Sequence, residues 1–132
     1  MTDVDRLAAA ARRAAERAYA PYSRFRVGAV VVAEDGSEFS GANVENSAYG
    51  SSICAEATAI ATAASAGVRR MPTIAVACID ATDPGFPCGN CRQLMREFGV
   101  ERVVVDGPDG PGVHRFDEDI LPNSFGPESL ES

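Results

Sequence analysis

Apolar positions near the start of the chain recur at helical spacing. Val4, Leu7, Ala8, Ala11, Ala15 and Ala18 can share one face, with Arg6, Arg12, Arg13 and Arg17 largely off it. The pattern predicts a helix over residues 3–19, ended by Pro21. Residues 26–33 form a β-branched run, Asp35-Gly36 is a hairpin signal, and residues 37–44 can return antiparallel. The period then disappears: residues 45–52 are polar and contain Gly50, which predicts a loop. A second helix is expected over residues 53–66, apolar at Ile53, Ala57, Ile60, Ala61 and Ala64, with Gly67 where a C-cap glycine belongs.

Residues 73–80 are continuously apolar, as in a strand buried on both faces. A loop over residues 83–87 leads to a helix over 88–98 closed by Gly99. Residues 101–106 alternate around Val103, Val104 and Val105 as another central strand. After the Asp109-Gly110 turn, residues 113–116 suggest a short edge strand. The acidic segment from Asp117, with Pro122 and Pro127, is expected to be short helix then coil, flexible over about residues 126–132. The order α-β-β-α-β-α-β-β predicts an α/β fold: three layers, α/β/α, around a mixed five-stranded sheet, with residues 1–132 as one domain.

Composition narrows the function classes. A chain of 132 residues, 45% hydrophobic and 23% charged, can bury a core without staples. No apolar run approaches the ~20 residues of a membrane-spanning helix. The acidic start, Met1-Thr2-Asp3-Val4-Asp5, carries no visible secretory signal, which predicts a cytoplasmic protein. All 12 basic residues are Arg, and the net charge of −7 argues against tight nucleic-acid binding. Four cysteines in such a chain point to metal or catalysis rather than a disulfide framework.

Three of those cysteines, Cys54, Cys88 and Cys91, fall at predicted helix starts, where unpaired amides and the dipole favour thiolates. Two neighbouring strand-to-helix crossings would bring both starts to one sheet edge. Three soft ligands with no partner His point to one zinc ion (Zn2+) per chain, with a position left for water. Cys78 lies in the apolar strand and reads as core; His114 reads as a surface or satisfied residue. Glu56, two residues after Cys54, stands where a proton shuttle beside such a site belongs. A zinc ligand two before a Glu, followed by Pro-Cys-x-x-Cys, is the zinc deaminase signature, here in its three-cysteine form.

With those residues in place, the chain resembles the small homotetrameric cytidine deaminases, from Ala18 to Phe125. The blocks are residues 19–29, Asn43-Val44-Glu45-Asn46 with Ser47 to Gly50, Cys54-Ala55-Glu56, Pro87-Cys88-Gly89-Asn90-Cys91-Arg92-Gln93, and Leu121-Pro122-Asn123-Ser124-Phe125. The resemblance implies hydrolysis of cytidine or deoxycytidine to uridine or deoxyuridine and ammonia, in pyrimidine salvage. Glu56 would relay protons to ring nitrogen 3 and to the leaving amino group while water attacks ring carbon 4. It further implies that Asn43 and Glu45 hold the ribose 3′-hydroxyl, Phe25 packs on the pyrimidine, and the Ala55 amide meets the ring carbonyl. Tyr49 and Phe125 would serve a neighbouring subunit's site in a homotetramer.

The absence of a basic cluster or Gly-rich cradle beside these blocks favours a free nucleoside. Two alternatives stay open: a deaminase of blasticidin-type aminonucleoside antibiotics, and a non-catalytic zinc-binding interaction module. One position departs from the family, Ala57 where an Arg is common. With it goes a guanidinium that offsets thiolate charge, which implies a differently tuned zinc site, with helix amides and Arg92 as candidate compensators.

Overall fold

The computed structural model describes residues 2–130. Its elements run α1 (Asp3–Ala15), β1 (Val27–Val32), β2 (Glu38–Ala42), α2 (Ala55–Ser65), β3 (Thr73–Cys78), α3 (Gly89–Glu97), β4 (Arg102–Val105) and β5 (Gly112–Arg115). The strand order is β2-β1-β3-β4-β5. β1 is antiparallel to both β2 and β3, β3 and β4 are parallel, and β5 returns antiparallel. Because side chains alternate along a strand, Val30 faces one layer while Ala29 and Val31 face the other. Leu7 and Ala11 of α1 pack with Val30, Ala75, Ala77 and Val104. On the opposite face, Ala59, Ile60 and Met95 of α2 and α3 meet Val31, Ile74, Val76 and Val103. The result is the expected three-layer mixed α/β fold. Among the described residues, no helix is long and apolar enough to cross a membrane.

Element boundaries differ from the sequence expectation where tertiary hydrogen bonds outbid local propensity. α1 opens with a capping box between Thr2 and Asp5 but stops at Ala15, short of residue 19. Tyr19 has been captured elsewhere: its N–H donates to the Asn43 carbonyl and its own carbonyl accepts from Glu45. α2 starts at Ala55 rather than 53, because Ile53 exchanges both backbone hydrogen bonds with Val44. β3 ends at Cys78, and Asp80 turns aside toward Arg26. Phe116 leaves the edge strand, is buried, and opens a π-type turn to Ile120. Residues 127–130 form a 3-10 turn, and 131–132 lie outside the described residues.

The two neighbouring crossings also take a different form. β2 and β3 run the same way but are separated by β1, so only the β3–α3–β4 crossing joins adjacent parallel strands. Both helices nevertheless begin at the same edge of the sheet, since β2 and β3 point in the same direction. Two glycines set how closely the helices approach. A Cβ on Gly28 would stand 2.0 Å from the Ala11 carbonyl oxygen, and one on Gly41 would stand 2.5 Å from the Ala59 nitrogen. Backbone so close cannot be moved aside cheaply, so Gly41→Ala must push α2, and Cys54 and Glu56 with it, off β2. The expected cost is about 3 kcal/mol, the upper end for overpacking, read as a lower urea midpoint with an unchanged slope.

Candidate active site

Cys54 and Cys88 are the N-cap residues of α2 and α3, with extended backbones (ψ 154° and 168°) that turn each side chain across its helix end. Cys91 lies on the first turn of α3 and is buried. The three Sγ atoms lie within 4.8 Å of one another, and Cys54 Sγ is 3.9 Å from Cys88 Sγ. Sulfurs bonded to each other would stand about 2.05 Å apart. Two sulfurs about 2.3 Å from one tetrahedral ion are separated by about 3.8 Å, so the donor set fits zinc. Among the described residues, no His or carboxylate joins the cluster as a fourth ligand. Burial pushes the Cys54 and Cys91 thiols up. Burial acts on Cys88 too, but hydrogen bonds from the Cys91 amide and from the other two thiols hold it below its ordinary value.

Glu56 follows on the first turn of α2 and is only 5% exposed. Desolvation pushes its carboxyl above the ordinary range, and among the described residues no other side chain is hydrogen-bonded to it. It lines a hollow of about 260 Å³ together with Phe25, Val27, Asn43, Ala55, Val76, Cys78, Gly85 and Phe86, beside Cys54 and Cys88. A buried acid with a raised pKa, aimed into a small apolar pocket next to three thiols, is a proton-transfer constellation. A second, outer hollow of about 420 Å³ shares Asn43 and Cys54 with it and adds Tyr22, Ser23, Glu45, Tyr49, Ser52 and Ile53.

The wall between the hollows is a tight turn, with Arg24 in the left-handed region (φ 58°). Asn43 holds the far side of the turn: its Oδ1 accepts from Val27 N–H (2.9 Å) and its Nδ2 donates to the Phe25 carbonyl (2.8 Å). Glu45 accepts from the Tyr22 and Ser23 amides (3.0 and 3.1 Å) and from the Ser23 hydroxyl. The Ser23 hydroxyl bond above all holds its carboxyl below the ordinary range. Phe25 is thereby presented to the inner hollow. Tyr49 sits on the outer one, edge-on to Tyr22 at 6.1 Å. Phe125 lines neither; its carbonyl accepts from Gln93 and the residue is 59% exposed.

Arg26 completes the support. Its backbone N–H and Nε both donate to Asp80 Oδ2 (2.9 Å), and Nη2 donates to Oδ1 (2.8 Å). These bonds draw the Asp80 carboxyl down to about 2. A depressed folded-state pKa contributes stability that is complete above the unfolded value near ~3.9 and fades as pH falls through the folded one. Asp80→Asn is therefore expected to be less stable than wild type at pH 7, with the gap closing between pH 4 and 2. Urea midpoints of the two proteins across that range would check it.

Residues 1–106 match the family described as cytidine and deoxycytidylate deaminase zinc-binding region. The chain belongs to this family. It is 43% identical over 130 residues to a cytidine deaminase of Sporosarcina psychrophila, covering 97% of this chain and 95% of that one. To the cytidine deaminase of Mycobacterium tuberculosis it is 41% identical, covering 98% and 96%. The crystal structure of cytidine deaminase from Burkholderia pseudomallei superposes with a TM-score of 0.86 at 44% identity, covering 95% of this chain and all of that one.

Within this deaminase fold, some lining residues carry no sequence motif. Cys78 is not core: it is half-buried at the end of β3 and lines the inner hollow, its thiol pushed up to about 11 by burial. Phe86 faces the same hollow and packs edge-on against His114 at 4.9 Å, which gives His114 a partner instead of open solvent. The one available signal was position, since strand C-terminal ends collect ligand-contacting residues in open α/β sheets. Arg92, a candidate compensator for Ala57, makes its hydrogen bonds elsewhere. Its Nε donates to the Pro87 carbonyl and its Nη1 to that of Ile120, and among the described residues no arginine is hydrogen-bonded to the sulfurs. The Cys91 amide faces Cys88.

Proposed function

We propose that this protein is a zinc-dependent hydrolase that deaminates cytidine and deoxycytidine as free nucleosides, in pyrimidine salvage. The observation that carries the reading is the three-sulfur cluster beside Glu56, which is buried and has no other side chain hydrogen-bonded to it among the described residues, at the base of a hollow of about 260 Å³. Cys54, Cys88 and Cys91 would hold one zinc ion per chain, which when bound supplies Lewis-acid activation of water. Glu56 takes a proton from the attacking water and delivers it to ring nitrogen 3 as ring carbon 4 is attacked. It then moves a proton to the amino nitrogen, which leaves as ammonia. The apolar walls, Phe25, Val27, Val76 and Phe86, keep bulk water from the carboxyl and so sustain the raised pKa that proton return needs.

Ala55 offers the first free amide of α2 to the ring carbonyl, and Phe25 its face to the base. Asn43 and Glu45 already hold the turn, and their remaining hydrogen-bonding capacity would receive the ribose 3′-hydroxyl. The outer hollow is rimmed by exposed Tyr22, Ile53 and Tyr49. Such a surface supports assembly as a homotetramer in which Tyr49 and Phe125 complete neighbouring sites. Four free cysteines accord with a cytoplasmic location.

An assay of purified protein on cytidine, deoxycytidine, cytidine monophosphate and blasticidin S, with zinc quantified in parallel, tests the proposal. Turnover of the first two and one zinc per chain are expected. Exclusive turnover of blasticidin S, or none at all with zinc bound, would overturn it.

A further inference from the structure

We infer that Cys78, braced by the Gly85 backbone, faces carbon 5 of the bound pyrimidine and sets how large a 5-substituent the enzyme accepts. The inference rests on the nucleoside reading above and deepens it. The two hollows fix the direction of entry. Both are lined by Asn43 and Cys54, but the outer one holds Glu45 and the tyrosines while the inner one holds Glu56 and Cys88. A nucleoside whose amino-bearing carbon must reach Glu56 therefore enters base first, with its sugar left on the Asn43–Glu45 side.

The floor of the inner hollow then orders the ring atoms. It crosses three strands: Asn43 just beyond β2, Val27 on β1, whose carbonyl accepts from the Asn43 N–H, and Cys78 on β3 in register with Val27. With neighbouring strands about 4.8 Å apart, Cys78 lies about 10 Å from the sugar side. On a pyrimidine the atoms remote from the glycosidic nitrogen are nitrogen 3, carbon 4 and carbon 5. Glu56 and the sulfur cluster engage the first two, which leaves carbon 5 to the remaining wall. That wall is Cys78 with Val76, Gly85 and Phe86, all apolar or weakly polar, as an unsubstituted C–H edge requires.

The sulfur has nowhere to retreat. A Cβ built on Gly85 would stand 2.0 Å from Cys78 Sγ, so the loop backbone is seated directly on the side chain. A larger 5-substituent must therefore displace the loop or be refused, and the volume at residue 78 is the adjustable quantity.

The test compares wild type, Cys78→Ala and Cys78→Val on cytidine, 5-methylcytidine and 5-bromocytidine. Inhibition by uridine and 5-bromouridine gives a readout of binding alone. The kcat/KM ratio of 5-bromocytidine to cytidine is expected to rise about tenfold in Cys78→Ala and to fall about tenfold in Cys78→Val, the scale of one added or missing group in an apolar pocket. The inhibition ratio of the two uridines should move in the same directions. A structural role alone would weaken all ligands together. Unchanged ratios in both variants, with cytidine still turned over, would overturn the inference. Failure of wild type to turn over cytidine would instead remove the nucleoside reading beneath it.

Discussion

Glu56→Gln is expected to lower kcat/KM on cytidine by about a hundredfold to ten-thousandfold, the range associated with loss of one general acid–base group. Zinc content should stay at the wild-type value, because the carboxylate lies outside the cluster of three sulfurs. The substitution is close to isosteric, and it removes a side chain that has no hydrogen-bonding partner among the described side chains, so stability should not fall. A buried acid with a raised pKa is held at a cost to the fold, and the neutral amide relieves that cost. A slightly higher melting temperature together with the loss of turnover would mark the residue as kept for chemistry. Wild-type turnover in a zinc-loaded Gln variant would remove Glu56 from the mechanism.

Cys91→Ala is expected to abolish both zinc binding and turnover. Cys91 is the one buried member of the cluster, and it belongs to the same hydrophobic core as Met95 and Val76. Dialysis of wild type against a chelator should have the same effect on turnover, reversed by added zinc. Stability should follow as well. A ligand that binds only the folded state, present at about a thousand times its Kd, stabilises by about 4 kcal/mol. Thermal unfolding with and without chelator would measure this, and an unchanged melting temperature would show that zinc is not bound in the folded wild type.

The candidate cluster is legible because its determinants are local. Cys54, Cys88 and Cys91 owe their positions to helix N-termini, and helix starts can be read from spacing. Glu56 follows Cys54 by two residues, within the first turn of the same helix. What could not be read is whatever depends on partners far along the chain. Tyr19 leaves α1 for Asn43 and Glu45, and Ile53 leaves α2 for Val44. Both exchanges trade a helical hydrogen bond for a tertiary one, and no periodicity records them. The position of Cys78 at the hollow escapes the sequence pattern for a related reason. A strand that is apolar on both faces gives no sign of which residue at its end turns toward a cavity. A loop-fixing role for Asn43 and Glu45 is readable from their types, but that they brace the Phe25 turn in particular depends on that turn lying beside the end of β2, which no local pattern records.

That bracing has a consequence for the thermodynamics of recognition. Asn43, Glu45 and Asp80 hold residues 22–27 from three directions before any ligand arrives. An unbraced loop of this kind must be ordered when the ligand binds, and each immobilised flexible side chain costs about 0.5–1.5 kcal/mol. Here much of that conformational entropy is lost during folding instead. Nucleoside affinity then depends mainly on contacts made, and loosening the turn through Asp80 should weaken binding through a less favourable entropy while leaving the enthalpy of the contacts in place.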